Sequence, residues 1–413
     1  MLVKVLLALT VIMITARIVG WLFARINQPA VIGEVVGGIL LGPSLLGRLF
    51  PEAAAFLLPL DAAPFLGVIA QIGVILYMFL IGLELDLGVL RARLSMTIVI
   101  ASASIVVPFA LGGALAFGLF ESLAPAGVPF SSFLLFIGVS MSITAFPVLA
   151  RILGDRGLKK TPMGTLALTC AAINDAIAWC LLALVVGVMQ ATPAEAIRTV
   201  VLTFGYIAMM LTAGRAIVVR AVAKLDRSAR IGEQSLALVL VAVLLSAVAT
   251  EFIGIHAIFG AFLIGAIIPH HSRVSAQAHE RLADIVRVMF LPAFFAFTGL
   301  RTEIGLMQTA EDWLLCGVII VVATVGKFGG TTLAAKITGL DWRDSAALGI
   351  LMNTRGLVEL IVLNIGLDLG VITPRLFTML VIMALVTTMA TSPILMALLK
   401  ARPWKELNST TAA

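Results

Sequence analysis

Charged residues are scarce in this chain: Asp, Glu, Lys and Arg make up 12% of its 413 residues, about half the ~25% of an ordinary soluble domain. Long polar stretches are missing as well, which leaves no room for a water-exposed domain. Cysteine is nearly absent. The three present, Cys170, Cys180 and Cys316, all fall in apolar segments. Cys170 and Cys180 would stand ~15 Å apart along one helix and cannot pair, so neither a disulfide framework nor a metal cluster is implied. No nucleophile–base arrangement or phosphate loop is present, which argues against an enzyme, and no cofactor is called for. The net charge of +6 comes from basic residues scattered over short loops, with no basic face or arm for nucleic acid.

What fills the chain is hydrocarbon. Hydrophobic residues make up 61% and the mean hydropathy is +1.14. Apolar stretches long enough to cross ~30 Å of lipid recur throughout. About thirteen spans are expected, near 3–24, 31–47, 63–85, 95–119, 131–153, 161–189, 197–220, 233–251, 255–270, 284–301, 313–337, 344–367 and 374–400. The first reads as a membrane helix rather than a cleaved signal peptide. An N-terminus outside and a C-terminus in the cytoplasm place Arg151, Arg156, Lys159 and Lys160 inside, with Arg215, Arg220, Lys224, Arg227 and Arg230, as positive-inside asymmetry requires. The expected address is a bacterial inner membrane, with lipid as the surrounding partner.

Thirteen divides as six, one and six. Residues 1–190 and 231–400 would be inverted repeats, joined by a linking helix within 191–230 and followed by a short tail at 401–413. The fifth and twelfth spans carry matched interruptions, Thr144-Ala145-Phe146-Pro147 and Asn353-Thr354-Arg355-Gly356. Proline removes a backbone donor and glycine weakens a helix. A broken pair at corresponding positions of two halves points to a midplane ion site.

Ionisable residues deep in lipid ask for a reason. Asp175, within LALTCAAINDAIAWCLLAL, sits about midway along the sixth span. Burial disfavours the charged form of a carboxylate, so the group is neutral with a proton or ionised beside a cation. Those mutually exclusive states are the chemistry of cation–proton exchange; the plainer alternative is an Asp satisfied by a lysine or a helix end. Asn174 could ligate a cation or hold a neighbouring helix. Thr144, where Pro147 loosens its helix, offers a hydroxyl to an alkali cation bound with Asp175, or bonds back to its own helix. Lys327 is the lysine well inside a span, suited to pairing with a carboxylate or to neutralising broken-helix ends. Arg355 keeps its charge and cannot carry a proton; bracing unwound carbonyls, or pairing with Glu359 one turn on, suits it better. Glu34, Glu84 and Glu251 lie nearer span ends. His256 reads as a cap, and His270, His271 and His279 as a solvated loop cluster with pH sensing as the other reading. Gly33, Gly37, Gly38 and Gly42 are spaced for close helix packing, within the chain or in a dimer.

The stretches PAVIGEVVGGILLGPSLLG, FLIGLELDL, ITAFPVLARIL, AAINDAIAW, GIHAIFGAFLIGAIIP and GILMNTRGLVELIVLNIG run in order over nearly the whole chain. In them the chain resembles the monovalent cation:proton antiporter-2 family, which includes Kef-type potassium efflux proteins and plant cation/proton exchangers. The resemblance implies an all-α polytopic fold of thirteen helices with crossed broken helices, a core and a dimerisation domain, a homodimer and elevator-type alternating access. It places the motif aspartate at Asp175, the crossing-helix threonine at Thr144, and the basic residue of the eleventh span at Lys327. The second crossing helix is the one carrying Arg355, Gly356 and Glu359.

Two departures stand out. Kef-type proteins carry a nucleotide-binding domain after the membrane domain; here only Ala401–Ala413 follow the last span, so regulation by such a domain is not expected within this chain, which leaves room for a separate regulatory subunit. The best-known electrogenic exchangers of this fold resemble one another in an Asp-Asp pair, where this chain has Asn174-Asp175. One titrating carboxylate predicts electroneutral one-for-one exchange of Na⁺ or K⁺ for H⁺. Sodium-coupled symport of an organic anion is the competing reading, and a channel would need a polar filter that is not evident.

Overall fold

The computed structural model describes residues 1–84, 94–159, 161–190, 193–227, 233–255 and 257–400. Lys160, Arg230, His256 and the tail at 401–413 lie outside the described residues, as do the side chains of Pro147 and Cys180. Among the described residues every regular element is a helix and none is a strand. The principal helices are α1 (Leu2–Arg25), α2 (Ala30–Leu41), α3 (Ala63–Glu84), α4 (Leu94–Leu123), α5 (Phe130–Ser142), α6 (Phe146–Asp155) and α7 (Pro162–Gln190). α8 runs from Pro193–Met209 through a π turn into Arg215–Asp226, and α9 and α10 are Glu233–Ile253 and Ala257–Ile267. α11 joins Arg273–Ile285 to Leu291–Leu300, and α12 joins Ala310–Thr324 to Gly330–Ile337, each through a five-residue π turn. α13 (Trp342–Met352), α14 (Leu357–Asp368) and α15 (Pro374–Lys400) complete the chain. Nine helical segments among the described residues are long and apolar enough to cross a membrane by length and composition.

The two expected interruptions are real breaks. After Ser142 the backbone turns extended at Ile143 (φ −73°, ψ 137°), and α6 restarts with Pro147 in its first turn, where a missing N–H does no harm. Ala145, the N-cap, is still outside helical geometry (φ −81°, ψ 87°), so the break precedes Pro147 rather than following it. The second break ends at Gly356 (φ 159°, ψ −124°), a conformation open to glycine. A Cβ there would also stand 2.6 Å from Val148 Cγ2 on α6.

The chain forms two compact units that interleave along the sequence. Unit 1 takes residues 1–17, 34–92 and 179–301; unit 2 takes 18–33, 93–178 and 302–413. Each draws on both halves of the chain. Within unit 1, Val5, Leu9 and Ile12 of α1 pack with Leu66 of α3 and Ala293 and Ala296 of α11. The glycines of α2 serve such internal packing. A Cβ on Gly38 would fall 2.6 Å from Ala296 Cα, and one on Gly42 would stand 3.1 Å from Leu300 Cα. Because the obstacle at Gly38 is backbone, Gly38→Leu is expected to destabilise the protein by about 1–3 kcal/mol or more. A fall in the thermal unfolding midpoint in detergent, larger than for Gly118→Ala, where a Cβ meets nothing within 4 Å, checks this.

Candidate functional site

All of the central polar residues expected from the sequence lie in unit 2. α5 ends at Ser142, leaving the carbonyls of its last turn without helical partners. Two cations from distant segments take them. Arg355 donates from Nη1 to Ser140 O at 2.9 Å and from Nη2 to Met141 O at 2.8 Å. Its Nη1 also reaches Glu359 Oε1 at 3.0 Å, a fully buried ion pair. Both roles considered for Arg355 are thus filled by one guanidinium, whose planar fork suits carbonyl and carboxylate together. Thr388 of α15 holds the Arg355 backbone, donating to its carbonyl at 2.8 Å and accepting from its N–H at 2.9 Å.

Lys327, fully buried, donates to Ser104 O of α4 at 2.7 Å and to Ser142 O. Asn174 supplies its third acceptor. With the amide oxygen turned towards the ammonium, Asn174 accepts from Lys327 Nζ at 3.0 Å and donates to Ala101 O at 3.1 Å. The reverse orientation would set an amide N–H against an ammonium N–H. All three lysine donors are then used. Lys327 makes no carboxylate ion pair among the described residues, so of its two expected roles it takes the helix-end one: the orphan carbonyl of Ser142 carries the negative end of the α5 dipole. The π turn at Val325–Gly329 contains Lys327, and such turns favour functional positions because they re-aim one residue.

The two breaks touch. Ala145 N donates to Thr354 O at 2.9 Å, and Thr144 Oγ1 bonds Met352 O at 3.0 Å. In the same amide orientation the Asn174 oxygen accepts from Thr144 Oγ1 at 3.0 Å, sharing its one hydroxyl hydrogen with Met352 O, so Asn174 joins α4, the first break and α12. It is a brace, whatever else it does, and Thr144 bonds across the breaks rather than to its own helix.

Asp175 is 2% exposed. Lys327 and the Phe146 N–H at the head of α6 act on it electrostatically, but neither closes a hydrogen bond, and both carboxylate oxygens lack a partner among the described residues. Asp175 is therefore the carboxylate left open where its neighbours are engaged. Oxygen groups near the breaks share this state: Asn353 Oδ1 and Thr354 Oγ1 are buried and unbonded. Hard oxygen donors of this kind suit an alkali cation. No group of three or more His, Cys, Asp or Glu residues among the described ones could hold a multivalent metal.

Residues not singled out in advance complete the site: Ser104, Ser142 and Thr388; Asn353 and Thr354 are expected from the sequence only as part of the second interruption. A serine or threonine in a span usually bonds back to its own helix, so its presence alone gives no signal. Glu84 and Glu251 have other employment in unit 1. His279 Nε2 lies 3.1 Å from Glu84 Oε1, with Arg287 Nη2 at 3.8 Å, so His279 is paired rather than merely solvated. Glu251 Oε2 accepts from Ala257 N at 2.8 Å, at the start of α10. Glu34 is buried in α2 of the same unit.

Residues 12–401 match the family described as sodium/hydrogen exchanger, transmembrane. The Na(+)/H(+) antiporter NhaS4 of Synechocystis is 45% identical over 395 residues, 95% of this chain and 96% of that protein. Cation/H(+) antiporter 17 of Arabidopsis thaliana is 38% identical over 97% of this chain, and K(+)/H(+) antiporter 1 of Saccharomyces cerevisiae 36% over 90%. The chain spans only 49% and 44% of these two longer relatives. The sodium proton antiporter MjNhaP1 from Methanocaldococcus jannaschii superposes with a TM-score of 0.65 over 96% of this chain and 97% of its own, at 15% identity. That likeness establishes a shared fold. The full-length match and the relatives together place this chain in the sodium/hydrogen exchanger family of monovalent cation:proton antiporters.

Proposed function

We propose that this protein is a secondary transporter exchanging Na⁺ or K⁺ for H⁺ across a bacterial inner membrane, with Asp175 as the shared site. The observation that carries this is the buried Asp175 carboxylate, both oxygens unpartnered among the described residues, with further buried, unbonded oxygens at the helix breaks. A relative named for sodium and another named for potassium support an alkali cation without choosing between them. Thr144 and the breaks would complete the ligand set, with Asn174, Lys327, Arg355 and Glu359 holding the frame. With it we propose thirteen spans in two inverted repeats (1–190 and 231–400) about a linking helix, an outside N-terminus and a cytoplasmic tail, on the matched breaks and the excess of basic residues in the loops assigned to the cytoplasm. Unit 2 would be the moving core of an elevator, and unit 1 the dimerisation domain of a homodimer.

Charge counting favours electroneutral exchange. Lys327 and Arg355 are tied to carbonyls, and Glu359 to Arg355. Provided that these three keep their charge through the cycle, Lys327 being the second group able to carry a proton, protonated Asp175 and cation-bound Asp175 give the site the same total charge. One proton for one cation then moves no net charge. Reconstituted protein carrying an internal pH-sensitive dye tests the reading: Na⁺, K⁺ or Li⁺ should dissipate an imposed pH gradient, and a membrane potential of either sign should leave the rate unchanged. A potential that drives exchange uphill overturns electroneutrality. No response to any alkali cation overturns antiport and favours symport of an organic anion.

A further inference from the structure

We infer that unit 2 carries a second ligand site, for a phosphate-bearing anion with a free hydroxyl, in a cleft apart from Asp175. The cleft encloses about 360 Å³, near the lower end of small-molecule sites (~300–1,000 Å³). Arg151 and Arg156 line it from α6 and its C-cap, Asn27 and Gln28 from the link between α1 and α2, and Ser392 from α15. No carboxylate is among the lining residues, so two guanidiniums stand in a concavity without a counter-charge among the described side chains. Such a wall repels the transported cation and attracts an anion; guanidinium forks match phosphate oxygens.

The link is shaped to hold the cleft open. Asn27 adopts the left-handed conformation (φ 60°), which turns the chain between α1 and α2. Arg156 Nη2 donates to Asn27 O at 3.1 Å, fastening the link to the end of α6. Arg151 has no ion-pair partner among the described residues. Gln28 Oε1 is shielded from solvent and has no hydrogen-bond partner among the described residues, so a turn of this side chain into the cleft would let a ligand that offers an O–H beside its phosphate satisfy it. A buried amide oxygen left alone costs roughly 1–3 kcal/mol, which favours a hydroxylated phosphate ester over bare phosphate. A glycerophosphate group has this chemistry, whether as a phosphatidylglycerol headgroup or as a soluble ester.

The site acts on transport through α6. From Arg151 to Phe146, whose N–H acts on Asp175, is about 7.5 Å of helix rise. An anion clamped between Arg151 and the α1–α2 link would restrain that helix. Binding itself is independent of the exchange reading and is measured without transport.

The test uses full-length protein in phosphatidylcholine nanodiscs, following the thermal unfolding midpoint. Glycerol 3-phosphate is titrated in one arm, and phosphatidylglycerol replaces part of the lipid in the other. A saturable rise in the midpoint is expected, at least tenfold weaker in apparent affinity for Arg151→Gln, retained in Arg151→Lys, and reduced by 0.5 M salt. A response to glycerol 3-phosphate identifies a soluble source, and a response to phosphatidylglycerol alone a lipid source. No response in either arm, or an equal one in Arg151→Gln, overturns the site. Because Arg156 also holds Asn27, Arg151 is the substitution that separates binding from folding.

Discussion

Asp175→Asn is expected to abolish cation-dependent proton flux in a protein that still folds and inserts. An amide neither ionises nor carries a proton, so both halves of the exchange cycle stop. The loss should reach the limit of detection, at least ~100-fold, because no neighbouring carboxylate is free to substitute: Glu359 is bound to Arg355 in a buried pair. Folding should survive, since no hydrogen bond to either Asp175 oxygen is lost among the described residues. Removing the desolvation of a buried charge favours the variant, whose unfolding midpoint should equal or exceed wild type. Dye dequenching in proteoliposomes and a melt in detergent measure the two effects. Undiminished dequenching by the folded variant would remove Asp175 from the mechanism.

The same competition sets a pH dependence. A proton and a cation exclude one another at Asp175, so acid conditions that protonate it raise the apparent KM for the cation, by up to tenfold per pH unit. Maximal rate at saturating cation should change less over the same range, until proton release becomes limiting on the acid side. A KM that does not rise with acidification would argue that the two ions use different groups.

Arg355→Ala is expected to have the largest effect on stability. It strips the partners from Ser140 O, Met141 O and Glu359 at once, all buried. Breaking a buried ion pair on one side costs about 3–5 kcal/mol, because the remaining charge is left uncompensated. Two orphaned carbonyls add to this, so little folded protein should be recovered. Arg355→Lys should rescue only partly, since a point ammonium cannot span the acceptors that the planar fork reaches. Arg355→Met combined with Glu359→Leu should be less damaging than Arg355→Ala alone, because no charge is stranded. Monodisperse yield and melting midpoint of the four proteins test this. If the double variant is no better than Arg355→Ala, the carbonyl braces dominate and the ion pair contributes little.

Much of this site could be read from local pattern. Asp175 stands out because a carboxylate in an apolar span is costly wherever the helix goes. The breaks at 143–145 and 353–356 announce themselves through Pro147 and Gly356, since both act on their own backbone irrespective of neighbours. Arg355 and Glu359 are spaced so that helical geometry alone brings them together.

Lys327 shows where local pattern stops. Its position in a span marks it as important, but carboxylate pairing and helix-end bracing predict the same residue type at the same depth. Which one holds depends on Ser104 O and Ser142 O, from segments 223 and 185 residues away. Asn174 is similar: its two roles separate only when Ala101, Thr144 and Lys327 surround it. The Arg151–Asn27 cleft was legible only as a loop charge cluster, since its walls come from three separated segments.

The sequence by itself therefore determined the solvent, the helical class, the two breaks and the deep carboxylate, because hydropathy, proline, glycine and buried charge act locally. Tertiary structure alone decided which groups are left unpaired. Hydrogen-bond satisfaction is settled between segments far apart in the chain, and the function proposed for Asp175 rests on its having been left out of that settlement.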